Sequence, residues 1–146
     1  MHKLIIEKVE YGSEAYDELL RLTNKVLRAP IGLSIYDENL EIDRSSIHVV
    51  GRIDGEVVAC CAVSPISGYK AKLKHMAVDE KCRGQGVGSR LLEFIEFTSK
   101  EKGYKELTAH TRVHIIEFYQ NNGWKVISDE FTELSSQVVV MSKHLD

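Results

Sequence analysis

The sequence predicts an α+β fold, a mixed central β-sheet flanked by helices, and three observations carry that reading. Two β-rich runs, 47–53 and 56–64, meet at Asp54-Gly55, a dipeptide that supplies the positive φ angles of a tight hairpin turn. Stretches with apolar residues at helical spacing lie on either side of this hairpin. In mid-chain a strand, a glycine-rich loop and a helix follow one another, the arrangement of a sheet covered by helices.

Taken in order, residues 3–8 read as a first strand. Ser13 then opens a helix whose positions Tyr16, Leu19, Leu20, Thr23, Val26 and Leu27 follow the i, i+3, i+4, i+7 pattern, and Pro30 ends it. Residues 31–46 show no clear period and read as a loop or an irregular helix. The hairpin follows, then a polar turn at 68–70 and a strand at 71–78. After the glycine loop, Val87, Leu91, Phe94 and Ile95 mark an amphipathic helix that Gly103 closes. Residues 106–110 form the next strand. A short helix at 113–122 carries Ile115, Phe118 and Tyr119 on one side and stops at Gly123. Strands at 124–131 and 137–143 complete the order β α β β β α β α β β. No internal repeat interrupts it, so 1–146 reads as a single domain.

Composition excludes several function classes. With 43% hydrophobic and 28% charged residues and two prolines, the chain has the make-up of a folded protein rather than a disordered one. The net charge of −3 is spread along the chain, without the dense basic field of a nucleic-acid binder. No apolar run approaches a membrane span, and Glu7 and Glu10 stand where a signal peptide would be apolar, so the expected location is cytoplasmic. Cys60, Cys61 and Cys82 form no CxxC pair and no histidines cluster, which predicts free thiols and no metal site.

The informative stretch is Met76-Ala77-Val78-Asp79-Glu80-Lys81-Cys82-Arg83-Gly84-Gln85-Gly86-Val87-Gly88-Ser89-Arg90. Glycines between a strand and a helix let backbone approach an anion closely, and the helix start offers unpaired N–H groups and the positive end of its dipole. A pyrophosphate suits such a loop. A Walker A loop would end in Gly-Lys-Ser/Thr, whereas this one ends Gly88-Ser89-Arg90; a Rossmann fingerprint read from Gly84 would need glycine where Ser89 stands. An ordinary turn and helix start is the bland alternative.

Arg83-Gly84-Gln85-Gly86-Val87-Gly88 resembles the acyl-CoA signature Gln/Arg-x-x-Gly-x-Gly/Ala of the GCN5-related N-acetyltransferase (GNAT) family, and it follows a strand ending Met76-Ala77-Val78. Downstream, Phe118-Tyr119-Gln120-Asn121-Asn122-Gly123-Trp124 resembles that family's Tyr-x-x-x-Gly-Phe helix end. The motifs span 47–124, and the element order extends the likeness to the whole chain. Arg112 and Ile115 depart from the family's frequent Asn and Ala, which removes an expected contact to the pantetheine arm. The resemblance implies the acyl-CoA N-acyltransferase fold, with acetyl-CoA as cosubstrate and no metal. It places the cofactor on Met76, Ala77, Val78, Arg83, Gly84, Gln85, Gly86, Val87, Gly88 and Ser89. It further implies that the two central strands splay apart after Met76, freeing backbone groups of Met76 and Val78.

Acetyl transfer from a thioester needs a neutral amine, donors for the oxyanion, and a proton for the departing thiolate. By resemblance Tyr119 is the general acid; on helix spacing alone it is equally a core tyrosine beside Phe118. The family's glutamate base is missing from Ala71-Lys72-Leu73-Lys74-His75-Met76, which makes His75 the nearest base, although strand alternation could turn it away. His110, His114 or a water chain are the alternatives. Cys82, with no visible base partner, reads as a surface residue. The resemblance thus implies an N-acetyltransferase that moves acetyl to a primary amine of a small molecule or peptide. A catalytically weak acyl-CoA sensor is the alternative, and a homodimer is left open. In the family the acceptor-side loops correspond to 29–46, where Asp37, Glu38, Glu41 and Asp43 face the single cation Arg44. That acidic rim would attract a protonated amine, or else it is a solvated loop.

Overall fold

The computed structural model describes residues 2–146; Met1, part of the stretch read against a signal peptide, lies outside them. The strands are β1 (Leu4–Val9), β2 (Ile47–Ile53), β3 (Glu56–Pro65), β4 (Lys70–Val78), β5 (Glu106–Arg112), β6 (Lys125–Val126), β7 (Phe131–Glu133) and β8 (Ser136–His144). The helices are α1 (Glu14–Thr23), α2 (Val87–Lys102) and α3 (Ile116–Asn121). The sheet runs β1-β2-β3-β4-β5-β8-β6, with β7 also on β8. Among the described residues only β4 and β5 are parallel, joined by a crossover through α2.

Alternation along the strands gives the sheet two apolar faces. On one, α2 buries Leu91, Leu92 and Ile95 against Val49, Leu73 and Leu107; on the other, α1 buries Tyr16, Leu19 and Leu20 against Val50 and Cys60. Ser13 caps α1 by accepting from the Tyr16 amide at 3.1 Å, and Gly103 closes α2 at φ 106°.

Two irregularities shape the centre. Between β3 and β4 the register passes from Cys60↔Ala77 to Ala62↔Lys74, so His75 and Met76 together oppose Cys61. This is a bulge, and its first residue, His75, has the left-handed φ of 57°. The parallel pairing of β4 with β5 stops at Leu73↔Ala109, leaving residues 74–78 without a strand partner on that side. The splay expected after Met76 thus begins three residues earlier, because the bulge turns β4 out of line.

The first predicted helix is shorter than its apolar spacing implies. The α-helix ends at Thr23 and passes into a π-turn at Asn24–Arg28 and a 3-10 turn at Ala29–Ile31 that contains Pro30. The predicted 113–122 helix divides into a 3-10 turn at Val113–Ile115 and α3. The strand predicted at 124–131 breaks into the two residues of β6 and the first residue of β7, Phe131. Residues 31–46 hold 3-10 turns at Ile35–Asp37 and Leu40–Ser45, which agrees with an irregular segment.

The β7–β8 hairpin turns through Leu134 and Ser135 at φ 48° and 65°, the double positive φ of a type I′ turn without the Asn-Gly that favours it. Replacing the pair with Leu134→Asn and Ser135→Gly is expected to stabilise the protein by about 1 kcal/mol by relieving left-handed strain, read as a raised urea midpoint.

Candidate active site

Two cavities meet where β4 and β5 part. The larger, about 740 Å³, is lined by Met76, Ala77 and Val78 of β4, by the loop into α2 and by Phe118 of α3. The smaller, about 320 Å³, lies on the α1 side of the same opening, over Lys72, Lys74 and His75. Leu27, Met76, Arg112, Ile115 and Tyr119 line both.

The glycine loop forms one end of the larger cavity. Gly84 and Gly86 have φ of 77° and 78°, and a Cβ added at either would meet nothing within 4 Å, so the loop presents open backbone. Gly86 is the N-cap of α2, where the first amides have no helical partner. Gly88 has a packing role as well: a Cβ there would stand 3.2 Å from the Phe118 ring. Arg83 donates through Nε to the Val78 carbonyl at 3.3 Å, tying the loop to β4. Every sequence-predicted cofactor residue lines this cavity except Gln85, whose side-chain amide turns back to the Lys81 carbonyl at 3.4 Å. Cys82, expected on the surface, is buried at 7% exposure because the 3-10 turn at Glu80–Cys82 folds it under the loop. The residues fit an extended, diphosphate-bearing ligand such as acetyl-CoA: open backbone donors at one end, an unpaired strand edge along the side.

His75 points toward the smaller cavity, and the bulge is the reason. Ala71 and Leu73 belong to the α2-side core, Ala77 to the α1-side core, so the face parity reverses through His75 and Met76. Lys74 and His75, though consecutive, therefore both reach Asp43. The carboxylate accepts from Lys74 Nζ at 2.5 Å, Tyr16 Oη at 2.7 Å and His75 Nε2 at 3.2 Å. Burial alone would raise the Asp43 carboxyl, but the hydrogen bonds from His75, Lys74 and Tyr16 outweigh it and hold it well below the usual carboxylate range. The Asp43 carbonyl also accepts from buried His48 Nε2 at 2.8 Å. The Cys60 thiol donates to the His75 carbonyl at 3.2 Å; burial pushes that thiol up to about 12, so it remains a donor.

Tyr119 is a packed aromatic residue that also borders the opening. It packs against Trp124 and Phe118 at centroid distances of 5.4 and 5.1 Å, and it lines both cavities. Its phenol has no hydrogen bond to another described side chain, and burial raises it above the usual range, so it stays protonated at neutral pH. His110 pairs with Glu133 at 2.7 Å at the margin of the smaller cavity, while His114 lies in the larger one.

The acidic rim expected over 29–46 is reduced by burial and pairing. Asp43 is 1% exposed inside its network, Glu38 pairs with Arg28, and Glu41 pairs with Arg44. These carboxylates are neutralised by neighbours that are distant in sequence or one turn away, and only Asp37 stays outside such a pair. Sequence reasoning placed Asp43 in the rim and missed its pairing with Tyr16, Lys74 and His75, which lie roughly 30 positions away.

The fold is that of the acyl-CoA N-acyltransferases. The profile described as "Acetyltransferase (GNAT) domain" matches residues 44–126, and the chain belongs to this family. It is similar to the YyaT protein of Bacillus subtilis, 31% identical over 80 residues, which cover 55% of this chain and 54% of that one. The matches span about half the length, or less, of the curated relatives. Among solved structures it resembles an aminoglycoside 6'-N-acetyltransferase complexed with coenzyme A, at 18% identity, TM-score 0.80 and 97% of each chain. A GNAT family acetyltransferase from Elizabethkingia anophelis with acetyl-CoA bound superposes with TM-score 0.72 at 20% identity, covering 97% of this chain and 98% of that one. No helix of the described residues is long and apolar enough to cross a membrane.

Asp43→Asn would leave the half-buried Lys74 without its counter-charge and strip the Tyr16 and His75 contacts of their carboxylate, and it is expected to destabilise the protein by about 3 kcal/mol. Because the folded carboxyl is depressed, its contribution is complete above the ordinary carboxylate pKa of about 4 and fades as pH falls below it. The stability gap between Asp43→Asn and the parent, followed by urea unfolding, should therefore narrow from pH 7 toward pH 3.

Proposed function

We propose that the protein is an N-acetyltransferase that moves an acetyl group from acetyl-CoA to a primary amine by direct attack on the thioester. The observation that carries this reading is the meeting of the two cavities at Met76 and Tyr119, beside an unpaired edge of β4. Backbone amides of residues 84–89 bind the pyrophosphate at the start of α2, and the pantetheine arm lies along the open edge of β4 in place of a strand. Main-chain groups at Met76 and Val78 hold the thioester carbonyl and stabilise negative charge there as the amine adds.

His75 is the base. An ionised Asp43 can only accept, so His75 Nε2 carries the proton and Nδ1 keeps its lone pair. Nδ1 takes the proton released as the C–N bond forms. The C–S bond then breaks and Tyr119 gives its phenolic proton to the thiolate of CoA. Asp43 is a positioning residue, with Lys74 balancing its charge.

Thiol release against a panel of amines tests the reading, since a sensor would bind acetyl-CoA without releasing free CoA. His75→Gln is expected to lower kcat by about 100-fold or more, and Tyr119→Phe by about 10-fold because a thiolate is already a fair leaving group. Both should retain acetyl-CoA affinity. Gly86→Val, which places a branched side chain over the open loop, should instead weaken acetyl-CoA binding at least tenfold by calorimetry while the variant stays folded.

A further inference from the structure

The smaller cavity has an unbalanced set of charges. Its carboxylates all have partners: Glu38 with Arg28, Asp43 with Lys74 and His75, Glu133 with His110. Two of its cations do not have a carboxylate. Arg112 reaches only the Leu27 carbonyl, donating from Nη2 at 2.9 Å, and Lys72 stands 3.5 Å from His110 Nδ1. Leu73 pairs with Ala109 and both belong to the α2-side core, so the period of two puts Lys72 and Arg112 on the opposite, α1-side face of β4 and β5. Both therefore line the smaller cavity, Arg112 at its junction with the larger one.

We infer that the acceptor is an amine bearing a carboxylate, an amino acid or a similarly small amino-carboxylate, whose carboxylate is held by Arg112 and Lys72. The inference rests on the transfer reaction proposed above and assigns the class of its second substrate. A guanidinium matches a carboxylate in two parallel hydrogen bonds, and a lysine adds a second charge. Burial and the nearby Arg28 disfavour the charge on Arg112, so an incoming anion relieves a strained electrostatic position. Arg112 also stands where acetyl donor and amine must meet, which suits a carboxylate one or two bonds from the reacting nitrogen. The volume of about 320 Å³ suits a small molecule.

The experiment compares matched sets: phenylalanine, phenylalaninamide and phenethylamine, with glutamate and lysine as further acids, in thiol release and in calorimetry on the CoA complex using the N-acetyl amino acids as product-side probes. The expected result is a kcat/KM for the acids at least tenfold above their amides and decarboxylated forms. Arg112→Gln should reduce that preference roughly 10- to 100-fold, Lys72→Met by less, and Arg112→Lys should keep part of it. N-acetyl amino acids should bind the CoA complex more tightly than their amides, which reads the carboxylate even where no panel member is a good acceptor. Preference for the amides or decarboxylated amines, equal binding of acid and amide probes, or an Arg112→Gln defect confined to acetyl-CoA affinity would overturn the assignment. A preference for an aminoalkyl phosphate over every carboxylate would do so too. Failure of the parent protein to bind acetyl-CoA would instead sink the transfer reaction itself, so the two failures are separable.

Discussion

The parting of β4 from β5 is the constraint on which the site depends. Parallel strands ordinarily pair along their length, and an unpaired edge leaves donors and acceptors in need of partners. Here the pairing ends at Leu73↔Ala109, and the bulge two residues on turns β4 so that it cannot resume. One event thus produces three results: an open backbone edge, a reversal of face that sends His75 to Asp43, and a gap in which two cavities meet. The bulge is supported on both sides, by the Cys60 thiol on the His75 carbonyl and by the Asp43 network on its side chain. A left-handed histidine persists only where the surroundings over-determine it.

Charge in the acceptor region is organised from a distance. The segment between α1 and β2 buries one of its acidic residues, Asp43, against Lys74 and His75, and pairs two exposed ones, Glu38 with Arg28 and Glu41 with Arg44. The result inverts what composition suggests, since the segment is acidic while the unmatched charges facing the smaller cavity are Lys72 and Arg112. Local net charge is a poor guide to the field inside a cleft when its walls come from many separate elements.

What was legible in the sequence was local. The Asp54-Gly55 hairpin, the glycine loop before α2 and the Tyr119 helix declare themselves within a few residues each, because turn geometry and helix capping are short-range. Arg112 was legible only as a departure from a pattern, and its place at the cavity junction gives that departure a meaning. The π-turn at Asn24–Arg28, the bulge at His75 and the burial of Asp43 were not legible, since each is set by packing between segments far apart. The strand predicted at 124–131 failed for the same reason: β8 pairs with Lys125 and Val126 and again with Phe131, and the residues between them leave the ladder.

Amide hydrogen exchange with and without CoA tests the open edge most directly. Binding along that edge predicts slowed exchange in two separate stretches, residues 74–78 of β4 and 84–89 of the loop, with little change in β1 and β2. Protection that misses β4, or that is confined to the far side of the sheet, would contradict an account in which the parted strands form the cofactor site.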